Sequence, residues 1–311
     1  MRPEYYADLY RRFATYCRNY GDNRLRKIAG GSHDRNLEWT EVMMKEIPHW
    51  MMWGLSLHHY MTEWRNKGLA TEFSEGEYFR TMKFAVNFGD LLDGHIRIMD
   101  KYDPRNRVVL GIDEWGTWWD VEPGTNPGFL YQQNALRDAF VAAISLNHFN
   151  KRCRRIKMAN IAQTVNVLQA MVLTKEEKML LTPTYHVFEM YKVHHDATLL
   201  PLDLESAYKY ELGSEELESI NASASLDDDG IIHISLVNIH PDEDASIDIE
   251  IRGSETSEVS GRILTAPELN SHNTFERPDA VVPGEFRGVK AGKGIISVTL
   301  PAKSIVVLEV R

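Results

Sequence analysis

Two cysteines in 311 residues, Cys17 and Cys153, give no disulfide framework, and no CxxC or His-rich spacing offers a metal site. They read as free thiols, which favours a reducing, cytoplasmic setting. No window approaches the roughly 18 unbroken apolar residues that a membrane span requires. Met1-Arg2-Pro3-Glu4-Tyr5-Tyr6-Ala7-Asp8 lacks the apolar core of a signal peptide. Basic residues are in deficit, 35 Lys and Arg against 45 Asp and Glu, for a net charge of −10. That balance argues against a nucleic-acid or anionic-membrane partner, since both reward clustered cations. The one basic run, Lys151-Arg152-Cys153-Arg154-Arg155, follows a helical pattern and reads as a favourable helix C-terminus rather than a phosphate site. No repeat or low-complexity segment stands out.

What the sequence does contain is a globular composition, 43% hydrophobic and 26% charged, in a chain long enough for two domains. The first two thirds alternate helix and strand. Tyr6, Leu9, Tyr10, Phe13, Cys17 and Tyr20 recur at helical spacing, with Pro3 suited to the first turn and Gly21 to the stop. A strand is expected over Leu25 to Ala29, closed by Gly30-Gly31. A helix through Trp39 to Trp50, a strand through Met52 to Tyr60 and a long helix from Tyr78 to about Met99 follow. Then come a strand over Val108 to Ile112, a helix over Asn134 to His148 and a strand over Ile156 to Ile161. Strands interleaved with helices are the pattern of right-handed βαβ units and a parallel sheet.

From about Leu204 the tryptophans are gone and short alternating strands take over: Ile231 to Val237, Ala245 to Ile251, Gly294 to Leu300 and Ser304 to Val310. They predict an antiparallel β-sandwich, jelly-roll-like, over residues 196–311, after an α/β part over residues 1–195. Asp227-Asp228-Asp229-Gly230 and Pro241-Asp242-Glu243-Asp244 read as acidic turns, not calcium loops. Asn221-Ala222-Ser223 matches a glycosylation acceptor, a pattern common by chance and relevant only to a secreted protein.

The stretch richest in chemistry is Val108-Val109-Leu110-Gly111-Ile112-Asp113-Glu114-Trp115-Gly116-Thr117-Trp118-Trp119. An apolar run of this kind is a strand buried on both faces, and the C-terminal ends of such strands are where parallel α/β folds place their reactive groups. A carboxylate can attack an anomeric carbon while flat indoles bind the apolar face of a sugar, so the pairing points to carbohydrate. In Ser56-Leu57-His58-His59-Tyr60 the strand period puts Ser56, His58 and Tyr60 on one face and Leu57 and His59 on the other. The same alternation aims only one of Asp113 and Glu114 inward, and the apolar pattern does not decide which. Trp115, Trp118 and Trp119 fit either a stacking platform or the core. Gln163, just past Ile156 to Ile161, fits either a hydroxyl contact or a helix cap.

Four segments in order, Ser56-Leu57-His58-His59-Tyr60, Ile112-Asp113-Glu114-Trp115, Ala159-Asn160-Ile161-Ala162-Gln163-Thr164-Val165-Asn166-Val167 and Asn270-Ser271-His272-Asn273-Thr274-Phe275-Glu276, resemble the second half of glycoside hydrolase family 51. Most members of that family are α-L-arabinofuranosidases. The resemblance covers nearly the whole chain. It implies the second half of a (β/α)8 TIM barrel, strands five to eight, followed by an antiparallel β-sandwich, with a retaining mechanism that needs no metal or other cofactor. By the same resemblance Glu114 matches the nucleophile at the end of the seventh strand, and His58 and Tyr60 match pocket residues at the end of the sixth. Gln163 matches one at the end of the eighth, and Trp115 or Trp118 is expected to wall the pocket.

The family's general acid/base glutamate follows Gly-Asn at the end of the fourth strand, and no Gly-Asn-Glu occurs in this sequence. The chain is therefore expected to begin after that strand. A half barrel leaves a strand edge and apolar helix faces uncovered, so the expected partner is the N-terminal half of the same enzyme, separate or cleaved. The other expected partners are an arabinofuranoside substrate and further copies of the assembled enzyme. Two alternatives stand beside this reading: an endo-acting glucanase or xylanase of the same family, and a non-catalytic, sugar-binding regulatory subunit.

Overall fold

A computed structural model of the chain describes residues 1–253, 258–292 and 294–311. The chain divides into two compact units, Met1–Tyr60 with Asn87–Trp115 and Arg152–Ile161, and Met61–Val86 with Gly116–Lys151 and Ala162–Arg311. This division is discontinuous in sequence. Residues 116–151 group with the sandwich because a helix in that segment is stitched to a sandwich strand by amides and hydroxyls, as described below.

The first unit is built on a four-stranded sheet of β1 (Ile28–His33), β2 (Gly54–Tyr60), β3 (Val109–Gly116) and β4 (Ile156–Ile161), in that spatial order. β1 runs parallel to β2 and β3 parallel to β4. Strands adjacent in space as in sequence, with helices between them, are singly wound, the order of consecutive barrel strands. The helices are α1 (Pro3–Tyr16), α2 (Leu37–Glu46), α3 (Glu75–Tyr102) and α4 (Leu136–Lys151), of which α4 and the start of α3, as far as Val86, belong to the second unit. Asn36 Oδ1 accepts from the Trp39 amide at 3.2 Å to start α2. Ser74 and Glu77 form a reciprocal capping box for α3, in which the Ser74 amide donates to Glu77 Oε2 at 2.8 Å and the Glu77 amide to Ser74 Oγ at 3.3 Å.

β1 departs from the expected Leu25 to Ala29. Gly30-Gly31 does not close the strand but lies inside it, because a Cβ on Gly31 would fall 1.4 Å from the Ser56 carbonyl oxygen. The glycine permits close approach of two backbones. Three steps along β1, from Ala29 to Ser32, run against two along β2, from Leu55 to Leu57, which is a bulge. α1 likewise ends at Tyr16, not Tyr20, and α2 ends at Glu46, two residues before Pro48.

The basic run behaves as a structural element of this unit. Arg152 makes a bidentate pair with Asp93, Nε and Nη2 each 2.7 Å from a carboxylate oxygen. The buried Arg155 pairs with Asp103 at 3.1 Å and with Asp100. Both arginines thereby tie the start of β4 to α3 and the turn that follows it.

In the second unit a six-stranded sheet holds strands Thr198–Leu200, Ile220–Leu226, Ile232–Asn238, Val259–Thr265, Gly284–Glu285 and Ser304–Val310. A three-stranded sheet holds Ala245–Glu250, Val289–Ala291 and Ile295–Leu300, and every pairing in both sheets is antiparallel. One core collects Ile234, Leu236, Val298, Leu300, Val306 and Leu308, all at most 3% exposed. Ile220–Leu226 escapes the hydrophobic pattern because Ala222 and Ala224 fill its core face. Its other face meets α4: Asn147 Nδ2 donates to Asn221 Oδ1 at 2.9 Å, and Ser223 Oγ donates to Asn147 Oδ1 at 2.7 Å. Both polar residues of the glycosylation-like triplet are thus engaged inside the fold. Asp227-Gly230 is a hairpin turn, its Asp227 carboxylate accepting the amides of Asp229 and Ile231. The segment around Asn270-Glu276 caps α4, since the amides of Leu136 and Arg137 donate to the carbonyls of Ser271 and Leu269 at 2.9 and 3.1 Å.

Candidate active site

The last residues of β2 and the C-terminal half of β3 lie side by side, and five polar side chains meet there. Tyr60 Oη donates to Glu114 Oε1 at 2.9 Å. His58 Nδ1 lies 3.4 Å from Glu114 Oε2, and His58 Nε2 lies 3.4 Å from Asp113 Oδ1. Ser56 Oγ donates to the same Asp113 oxygen at 2.6 Å. Ser56, His58 and Tyr60 share a face because the strand period is two.

Both neighbouring carboxylates reach His58, which simple alternation forbids. The pairing with β4 explains it: Ile112 pairs with Ala159 and Trp115 with Ile161, so three steps on β3 oppose two on β4. The extra residue at Asp113-Glu114 breaks the alternation and re-aims a side chain. Sequence reasoning therefore missed Asp113 and Ser56 as members of the cluster. A bulge carries no signal in an apolar pattern, although Ser56 was legible as sharing the face of His58.

The cluster is half open: the Glu114 side chain is 41% exposed and that of His58 38%, while Tyr60 is buried. Acceptance by Asp113 raises the His58 pKa, against the opposing effect of burial, and the charge of Glu114 raises it further. Burial pushes the Asp113 carboxyl upward, but the His58 and Ser56 donors more than offset it and hold the acid below its ordinary range. Burial, then the hydrogen bond to Glu114, drives the Tyr60 phenol far up, so it stays a donor.

His59 points the other way. Its Nδ1 lies 2.6 Å from Asp34 Oδ1, and its ring packs on Phe88 at 4.6 Å between centroids. Trp115 is fully buried and presents no face to a sugar. Trp118 and Gln163 belong to the second unit. There Trp118 meets Trp64 edge-on at 5.4 Å, with Lys67 Nζ 4.7 Å from the Trp118 ring centroid. Gln163 is exposed, follows a cis peptide, and pairs its backbone with Val167 and Met171. Trp119 is a core residue, its indole N–H donating to Asp138 at 2.8 Å. Among the described residues no group of three His, Cys, Asp or Glu could hold a metal ion.

Residues 113–304 match the α-L-arabinofuranosidase C-terminal domain family. Over its whole length the chain is 53% identical to an intracellular exo-α-L-arabinofuranosidase of Bacteroides ovatus, of which it covers 61%. It superposes on the crystal structure of a GH51 arabinofuranosidase from Xanthomonas axonopodis pv. citri with a TM-score of 0.97 at 43% identity, covering all of this chain and 63% of that one. The arabinose complex of a Thermotoga maritima α-L-arabinofuranosidase shares the fold, with a TM-score of 0.80 at 22% identity over 99% of this chain and 62% of that one. The chain thus spans about three fifths of the length of these relatives. Its sheet and sandwich are the second half of a (β/α)8 barrel and the β-sandwich that follows it, and the chain belongs to the α-L-arabinofuranosidases of glycoside hydrolase family 51, as their C-terminal part.

Proposed function

We propose that this chain supplies the nucleophile half of a retaining, exo-acting α-L-arabinofuranosidase that releases terminal arabinofuranose from arabinose-containing polysaccharides or oligosaccharides inside the cell. The observation that carries the reading is the Glu114 carboxylate at a barrel strand end, oriented by a phenol on one oxygen and an imidazole on the other. The name of the Bacteroides ovatus relative supports the exo action and the location.

Glu114 attacks the anomeric carbon, the bond to the leaving oxygen breaks, and a covalent arabinofuranosyl ester forms. Water then displaces the carboxylate, so two inversions give net retention. Tyr60 holds Oε1, which leaves Oε2 beside His58 as the oxygen that attacks. By the family resemblance alone, Gln163 is assigned to the glycone and Trp118 to the pocket wall. Trp115, fully buried, stiffens the strand end instead.

The proton for the leaving group comes from a glutamate of the N-terminal part, which also covers the edge strand β1 and the exposed Phe13, Tyr16 and Trp50. Retention requires that glutamate about 5–5.5 Å from Glu114. A mechanism-based arabinofuranosyl label on the full-length enzyme tests the assignment: it is expected on the peptide bearing Glu114, and a label on any other peptide overturns it.

A further inference from the structure

The reaction as derived does not use Asp113, yet the bulge in β3 brings its carboxylate to the same imidazole that faces Glu114. A neutral imidazole has one N–H and one lone pair, and a lone pair aimed at an ionised carboxylate is repelled. Only the imidazolium donates from both nitrogens, which is what a carboxylate oxygen at each end of the ring requires. Asp113 is itself fixed, because Ser56 Oγ donates to the very oxygen that faces His58.

We propose that Asp113, held by Ser56, is a positioning residue of the arabinofuranosidase reaction: it fixes His58 as the cation that donates to Glu114. This rests on reading Glu114 as the nucleophile. Its value is clearest in the covalent intermediate. Esterification turns Glu114 from an anion into a neutral group, and an imidazolium paired with Glu114 alone would then face no anion. With Asp113 in place, His58 keeps a counter-ion through both half-reactions, and the leaving carboxylate of the second step re-forms beside a cation.

The neighbours of His58 fit this role. From β3 it meets the two carboxylates. From β1 it is paired in register with His33, and the Asp34 amide donates to its carbonyl at 3.1 Å. The Asp34 side chain is engaged by His59 at 2.6 Å and by His33 at 2.9 Å. On its own strand Tyr60 is bonded to Glu114.

The test is the pH dependence of kcat/KM in the full-length enzyme, with an aryl arabinofuranoside whose leaving group departs without protonation, so that the alkaline limb does not report the acid/base glutamate. Asp113→Asn removes the counter-ion and is expected to move the alkaline limb down by roughly one pH unit or more. Asp113→Glu restores part of that, and Ser56→Ala moves the limb the same way by less. An alkaline limb that stays in place in both Asp113→Asn and Ser56→Ala, whatever the loss of rate, overturns the proposal. Should Asp113→Asn fail to fold, the His58 titration read by nitrogen NMR in Ser56→Ala decides: a fall supports the proposal and an unchanged value overturns it. A label that misses Glu114 sinks the nucleophile reading. A label on Glu114 with an unmoved limb sinks only the role of Asp113.

Discussion

At the ends of β2 and β3, ionisable side chains touch one another and stand half open to solvent, whereas the sandwich buries hydrocarbon between its sheets and places most of its charges at turns and on outer faces. Several polar groups enclosed by the sandwich have neutral partners, Asn221 and Ser223 with Asn147, and His194 with Ser225 and Ser235, while the buried His233 meets the Asp227 carboxylate at a hairpin turn. Neutral pairs satisfy these buried groups without placing an ionised partner among them. Opposed charges in a partly open site are instead poised to respond to a change in charge, and the first step of the retaining hydrolysis proposed above makes one. One region is built to stay the same, the other to change.

The largest effect expected from breaking that contrast is at Glu114. Glu114→Gln in the full-length enzyme should lower kcat by several orders of magnitude, because an amide cannot act as the nucleophile. Thermal unfolding should move little, since the side chain is 41% exposed. A variant that retains most of its turnover would remove the strand-end cluster from the chemistry.

The opposite pattern is expected in the sandwich. Leu308 is fully buried in the core, and Leu308→Ala should cost roughly 2–5 kcal/mol in denaturant unfolding while the folded enzyme keeps its kcat. A loss of kcat without a loss of stability would mean that the sandwich also governs the chemistry. Between these extremes lies Tyr60→Phe. It deletes one hydrogen bond to an ionised acceptor, worth about 1.5–3 kcal/mol, so kcat/KM should drop roughly ten- to hundred-fold. Equal stability loss at unchanged rate would make Tyr60 a core residue only.

The same contrast governs what the sequence could reveal. β4 was legible to the residue, and the pairing of His58 with Tyr60 on one face followed from a period of two. Strand Ser304–Val310 was equally plain, as a branched, apolar run. Ile220–Leu226 was not, because alanines and serines fill a tight core face and a polar seam without raising the hydrophobic signal. The ends of β1 were misread because Gly30-Gly31 serves backbone approach rather than a turn. Asp113 stayed ambiguous for a related reason: a bulge is a property of two strands, and the sequence of one strand does not contain its partner's register. The role proposed for Glu114 rests on the resemblance of four segments to a family, not on periodicity.

The smallest effect concerns the two histidines that carry the contrast in its sharpest form. His194 lies between hydroxyls, Nδ1 2.7 Å from Ser225 Oγ and Nε2 2.5 Å from Ser235 Oγ, and a hydroxyl can accept from one nitrogen and donate to the other. That arrangement suits a neutral ring. Burial, reinforced by the nearby His233 and His195, lowers its pKa to about 4. An unfolded histidine titrates near about 6.5, so below that pH the unfolded chain binds a proton that the fold refuses. The stability His194 contributes is therefore complete above pH 6.5 and declines as the pH falls toward 4, by about 1–2 kcal/mol between pH 7 and pH 5. His58 works in reverse: its pKa is raised, so its contribution is complete below the unfolded value and is lost as the pH rises through the folded one. Denaturant midpoints at pH 7 and pH 5 separate the two. His194→Gln, which keeps a donor and an acceptor but cannot titrate, should flatten the decline from pH 7 to pH 5, whereas His58→Gln, which removes a contribution that grows toward acid, should if anything steepen it. An acid slope that persists unchanged in His194→Gln would show that the buried sandwich histidine is not what acid attacks.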